Sequence, residues 1–278
     1  SGYMKKLNFK EKYNNILDHI KQEKRTFAIY LILRALVIVV MIAQFFNKNY
    51  ENVFLCILTL FLFLMPSIIE MKFKIDLPGT FEIIIMLFIF AAEILGEINE
   101  YYIVFPFWDT MLHTLNGFLA AAIGFSLVDI LNRTEKVSFR LSPFFMALVA
   151  FCFSMTIGVI WEFFEFGMDY FFQYDMQKDT IIHSISTVKL DPLNGNNTVI
   201  IDNITKVAIN GKDLGLGGYL DVGLYDTMKD LLVNLIGAVV FSVIGYFYIL
   251  KRGIDAVATH FIVTKVTKKA DKAEEWNL

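Results

Sequence analysis

Apolar residues in this chain come in long runs. Six stretches, roughly 27–46, 52–69, 79–97, 109–131, 143–172 and 228–250, are predominantly apolar. Each is close to the length of about 20 residues that a helix needs to cross a hydrocarbon core. The pattern predicts an all-α integral membrane protein, a bundle of about six transmembrane helices filling 27–250. A basic amphipathic segment, 4–26, precedes the bundle, and a basic tail, 251–278, follows it. One connection breaks the rhythm. Residues 173–225 are polar, and Thr198 to Ile209 mixes β-branched with polar side chains. Asn194–Gly195 and Asn210–Gly211 are turn signals. A small β-rich insertion outside the membrane is expected there.

The placement of lysine and arginine orients the bundle. Lys5, Lys6, Lys10, Lys12, Lys21, Lys24 and Arg25 precede the first span, and Lys72 and Lys74 follow the second. Arg133, Lys136 and Arg140 follow the fourth, and Lys251, Arg252, Lys265, Lys268 and Lys269 follow the sixth. The opposite connections hold Lys48 and then none across 98–108. Both termini are therefore expected in the cytoplasm, with 173–225 outside.

Composition agrees with the lipid solvent. Of 278 residues, 56% are hydrophobic and only 19% charged, against about 25% charged in a soluble domain. A net charge of -3 gives no reason to expect nucleic-acid binding. Cys56 and Cys152 both sit in apolar runs, which argues against a disulfide framework and a thiolate metal site.

Against that apolar background the polar residues carry the chemistry. An ionisable side chain inside a span costs about 2.5–3.5 kcal/mol on insertion scales, so it needs a partner or a wet cavity. The fourth span opens with Trp108, Asp109 and His113, and Asn116–Gly117 follow. Asp109 and His113 are four apart and project from one helix face. In the fifth, Trp161–Glu162 leads to Glu165 and Asp169, spaced by three and four. In the sixth, Asp226, Asp230 and Asn234 recur every four residues. With the orientation above, these groups, joined by Glu93 and Glu97, fall at one level near the outer face. Oxygen ligands suit Mg²⁺ or Mn²⁺, and a histidine adds compatibility with Zn²⁺. Facing helices of a bundle build such metal sites from carboxylates and histidine. Asp109, His113, Glu162, Asp226 and Asp230 are the expected metal ligands, and Glu165 the expected catalytic base.

Plainer readings stand beside these. Asp109 and Asp226 open helices, where a carboxylate caps backbone N–H groups. His113 alone suits a hydrogen-bonded core position. Glu82 and Asp129 are expected to pair with Arg34 as a structural group. His19, His183 and His260 read as ordinary exposed histidines. Trp108 and Trp161 suit packing or interface anchoring. Gly117, Gly158 and Gly237 allow close helix approach.

Asp109-x₃-His113-x₃-Gly117, Trp161–Glu162-x₂-Glu165 and Tyr225–Asp226–Thr227-x₂-Asp230-x₃-Asn234-x₂-Gly237–Ala238 resemble bacterial YjdF-like inner-membrane proteins. More distantly, Asp-x₃-His and Asp-x₃-Asn-x₂-Gly resemble VanZ-like proteins, associated with glycopeptide resistance. The resemblance covers about 90–245 and implies a bacterial inner-membrane location with a shared polar cluster. It brings no settled activity.

Three functions remain open on the sequence. The first is a metal-dependent hydrolase at the outer leaflet, acting on a lipid-linked or envelope substrate. The second is an extracytoplasmic binding or assembly protein using 173–225. The third is an ion- or proton-coupled transporter, against which the inner halves of these spans lack a matching polar track.

Overall fold

The computed structural model of the chain describes residues 9–132, 141–251 and 257–265. Arg133, Lys136, Arg140, Arg252, Lys268 and Lys269, used above for orientation, lie outside the described residues, as do Lys5 and Lys6. Long helices dominate, and among the described residues five segments are long and apolar enough to cross a membrane: Lys24–Phe46, Tyr50–Phe73, Trp108–Asn132, Pro143–Phe172 and Leu224–Leu250.

The helices are α1 (Phe9–Phe46), α2 (Tyr50–Leu62), α3 (Met65–Phe73), α4 (Gly79–Ile89), α5 (Tyr101–Val104), α6 (Trp108–Asn132), α7 (Pro143–Phe172) and α8 (Leu224–Leu250). α1 runs unbroken from the basic segment into the first apolar run, so the boundary expected at 26/27 is not a break in the backbone. The second apolar run is divided between α2 and α3, with Pro66 in the first turn of α3, where its missing N–H would have no helical partner anyway. The third run, 79–97, also divides. α4 passes directly into a π-helix, Phe90–Ile98, so neither piece alone has spanning length.

Two compact units are distinguished, Ser1–Ser154 with Asn234–Leu278, and Met155–Val233. In the first, Phe81, Ala121, Ala122, Phe125, Met146, Ala150 and Phe241 form a core with no exposed surface. α6 supplies the small residues that let its neighbours come close. A Cβ on Gly117 would lie 2.1 Å from the Asn234 carbonyl oxygen. One on Gly237 would lie 2.0 Å from that of Thr114. α6 and α8 thus touch backbone to backbone, and Phe125 packs edge-on against Phe241 and Tyr248 farther along both. A second core gathers Leu33 and Val37 of α1, Cys56 of α2, Phe63, Met86 of α4 and Ile94.

The stretch expected to begin a basic tail also enters this unit. Ala258, Ile262 and Val263 are buried in the main core. The Val263 N–H donates to Ser126 Oγ at 2.9 Å. Strand β1 (Ile75–Asp76) pairs antiparallel with β8 (Thr264–Lys265). Arg34, expected to pair with Glu82 and Asp129, lies 4.0 Å from the centre of the Tyr30 ring. Among the described residues no ion pair joins it to either acid. A cation over an aromatic face one turn away keeps its apolar stem in the helix groove without needing a distant carboxylate.

The second unit holds three short antiparallel pairs. β2 (Ile181–Ile182) pairs with β7 (Tyr219–Leu220), β3 (Ile185–Thr187) with β4 (Val199–Ile201), and β5 (Ala208–Ile209) with β6 (Lys212–Asp213). Asn210 and Gly211 both have positive φ, 53° and 81°, and join β5 to β6 as the two-residue hairpin their types favour. At Asn194–Gly195 a carboxylate organises the turn. Buried Asp191 accepts from the N–H groups of Leu193, Gly195 and Asn197 and from the Asn197 side chain, at 3.0–3.2 Å.

Those donors, Leu193 and Asn197 foremost, hold the Asp191 carboxyl below its ordinary pKa of 3.8. A depressed folded pKa means that the stabilisation is fully present above the unfolded value and is lost as pH falls through the folded one. Asp191→Ala at neutral pH should therefore speed amide exchange at Leu193, Gly195 and Asn197 about tenfold, the effect of losing one or two such bonds. Acidification well below pH 4 should likewise lower the protection of these amides in the wild type, judged against the exchange rate of an unfolded chain at the same pH. Unchanged exchange in the variant would show that backbone geometry alone holds the turn.

Candidate functional site

In the first unit, α6 carries Asp109 and His113. Imidazole Nε2 lies 3.4 Å from Asp109 Oδ1, with the His113 side chain 10% exposed and Asp109 26%. The start of α6 is pinned from two directions. The Trp108 indole donates to the Ala91 carbonyl of the π-helix at 3.2 Å. The Trp108 ring also meets Tyr101 edge-on, centroids 4.9 Å apart. A π-helix closes its hydrogen bonds over five residues and disturbs the regular ladder, a feature that recurs near functional sites. Here it also carries Glu93 and Glu97.

One turn beyond His113, three helices meet in a buried polar node. Asn116 Nδ2 donates to Asn234 Oδ1 at 3.2 Å, and Ser154 Oγ donates to the Gly117 carbonyl at 2.7 Å. Asn234 Nδ2 reaches the Ser154 carbonyl at 3.5 Å. Asn234 and Ser154 are essentially without exposed surface. Polar groups so deep persist only when mutually satisfied, and this network fixes the register of α6, α7 and α8.

In the second unit, Glu162 and Glu165 on α7 and Asp230 on α8 are all buried. Glu165 Oε1 accepts from the Trp161 indole at 2.8 Å, an i,i+4 pair that fixes the carboxylate's direction. Lys229 places its Nζ 3.8 Å from Asp226 and 3.9 Å from Asp230, so one cation serves both acids. Asp226 also accepts from the Lys178 N–H at 2.9 Å.

The segment after α7 is tied to the start of α8 by carboxylates. Asp169 accepts from the N–H groups of Met176 and Gln177. Asp221 accepts from those of Thr180 and Tyr225, at 2.6 and 2.7 Å. Burial, with Asp175, Asp221 and Asp169 nearby, pushes the Asp179 carboxyl above its ordinary value. Asp169 and Asp221 are thereby structural ties.

Of the six expected site residues, Asp109 and His113 come together in one unit, as do Asp226 and Asp230 around Lys229. Glu165 is engaged with Trp161. Three contributors were not expected: the Trp161 donor, Lys229 as shared counter-charge, and the Asn116–Asn234–Ser154 node. The i,i+4 spacing of Trp161 and Glu165 was visible beforehand. Ser154, one hydroxyl in an apolar run, had no signal. The Asp109–His113 pair offers oxygen and nitrogen donors of the kind that suit Mg²⁺, Mn²⁺ or Zn²⁺.

Residues 29–251 match a family described as "Predicted membrane protein (DUF2238)". No curated protein and no solved structure matches the chain.

Proposed function

We propose that this chain, which belongs to that family of predicted membrane proteins, is a metal-dependent membrane hydrolase. In this reading Asp109, His113 and Asp230 hold one divalent cation. The observation that carries it is the Asp109–His113 pair, one turn from the backbone contact of Gly117 with Asn234. Asp230 precedes Asn234 by four residues, as His113 precedes Gly117. Glu162 and Asp226 complete the negative charge that favours a dication.

The lysine and arginine distribution favours the outer leaflet for this level, with both termini cytoplasmic, and the YjdF-like resemblance favours a bacterial inner membrane. α4 and the π-helix together, 79–98, make the remaining crossing of six, and 173–225 becomes extracytoplasmic. The substrate class is then a lipid-linked or envelope ester. A divalent ion held there would lower the pKa of a bound water and polarise a phosphoryl or carbonyl oxygen. Glu165, which accepts the Trp161 indole N–H, would serve as general base toward the attacking water and would return the proton to the leaving oxygen as its bond breaks.

The test is the metal content of purified protein after supply of Mg²⁺, Mn²⁺ and Zn²⁺, measured by mass spectrometry. The expected result is about one equivalent of a single metal per chain, lost in Asp230→Asn. Absence of bound metal in the wild type after resupply would overturn the hydrolase. A binding or assembly role is the second reading. It is favoured by an open groove of about 560 Å³ lined by His183, Ser184, Asp202 and Tyr225.

A further inference from the structure

The first unit contains a space of different chemistry. A cavity of about 820 Å³ lies among α1, α3 and α4 beside β8, within the range of small-molecule sites. Glu70, Asp76 and Glu82, from three successive elements, form its acidic wall, and among the described side chains no lysine or arginine lines it. The other titratable lining groups are Tyr30 and His260. Phe27, Tyr30 and Phe63 form an aromatic wall. Glu70 accepts the Leu77 N–H at 2.8 Å, which ties the α3–α4 connection to the acidic side. Glu82, expected to pair with Arg34, faces this cavity.

We propose that the cavity binds a lipophilic organic cation, an ammonium or phosphonium carrying apolar groups. Each wall excludes an alternative. An anion or a neutral lipid would leave three carboxylates in mutual repulsion. A bare metal ion would leave the aromatic wall in contact with nothing. The three carboxylates come from three different elements, α3, β1 and α4, along one wall. A diffuse organic cation meets both demands. Its charge lies against the carboxylates and the ring faces, and its apolar groups fill the remaining volume. The inference is independent of the metal reading, since none of the proposed metal ligands lines this cavity.

The experiment is isothermal titration of the full chain in nanodiscs with tetraphenylphosphonium, with uncharged triphenylphosphine oxide as control and empty nanodiscs subtracted. Saturable binding of the cation alone is expected. Glu82→Gln should weaken it on the order of tenfold, the loss of one partly desolvated ionic contact. Ser67→Trp, which puts a ring into the cavity from an exposed lining position, should abolish it. Asp230→Asn should leave it unchanged. Both cavity variants are checked for native helicity, and Asp76→Asn replaces either one that fails. No saturable binding in the wild type, or equal binding in wild type and the folded cavity variants, overturns the proposal.

Discussion

Valine at Gly117 or Gly237 is expected to destabilise the protein by about 3 kcal/mol, the upper end of the cost of overpacking. The reason is what stands opposite. At Gly117 the nearest atom to an added Cβ is a backbone oxygen at 2.1 Å, and at Gly237 another at 2.0 Å. A flexible side chain could swing away, but a helix backbone moves only as a unit, so α6 and α8 must separate. Separation would strip the Asn116–Asn234 bond and leave buried polar groups unsatisfied, which adds to the cost. The control is Gly167→Val in α7, where nothing lies within 4 Å. It should shift stability by no more than about 0.5 kcal/mol. Denaturant unfolding of the three variants in one detergent decides the matter. Equal shifts would mean that glycine's helix propensity, not close approach, governs all three. Because Gly117 lies one turn from His113 on α6, Gly117→Val should also lower metal occupancy in the proposed site.

The second large effect is a ranking among the candidate ligands. His113→Ala and Asp109→Asn should abolish stoichiometric metal, as Asp230→Asn does. Glu162→Gln and Asp226→Asn should retain metal with affinity lowered about 10–100-fold, the usual cost of losing an outer partner. Asp226 already accepts a backbone N–H and shares Lys229 with Asp230, so it fits an orienting role better than direct ligation. Glu165→Gln should keep the metal and lose hydrolysis by about 10²–10⁴, the contribution of a general base. Metal loss in Glu162→Gln as complete as in His113→Ala would put Glu162 among the direct ligands and restore the five-residue set read from spacing.

Membrane character, the helical class and the identity of the polar residues out of place in lipid were all legible in the sequence. They follow from run length and from i,i+4 spacing, which depend on neighbours along the chain. Asp109–His113 was visible for that reason, as was the Asn210–Gly211 hairpin, where both residues tolerate positive φ.

Tertiary structure decided what spacing cannot encode. The third apolar run has the composition of one helix, yet it becomes α4 and a π-helix, because hydrophobic periodicity does not record a single inserted residue in the hydrogen-bond ladder. Arg34 turned to Tyr30 and Glu82 to a cavity, because charge pairing depends on the rotation of helices far apart in sequence. Val263 entered the core because a tail's fate rests on whether a groove exists to receive it. Ser154 became part of the polar node for the same reason: a lone hydroxyl acquires a role only when α6 brings the Gly117 carbonyl within reach of it.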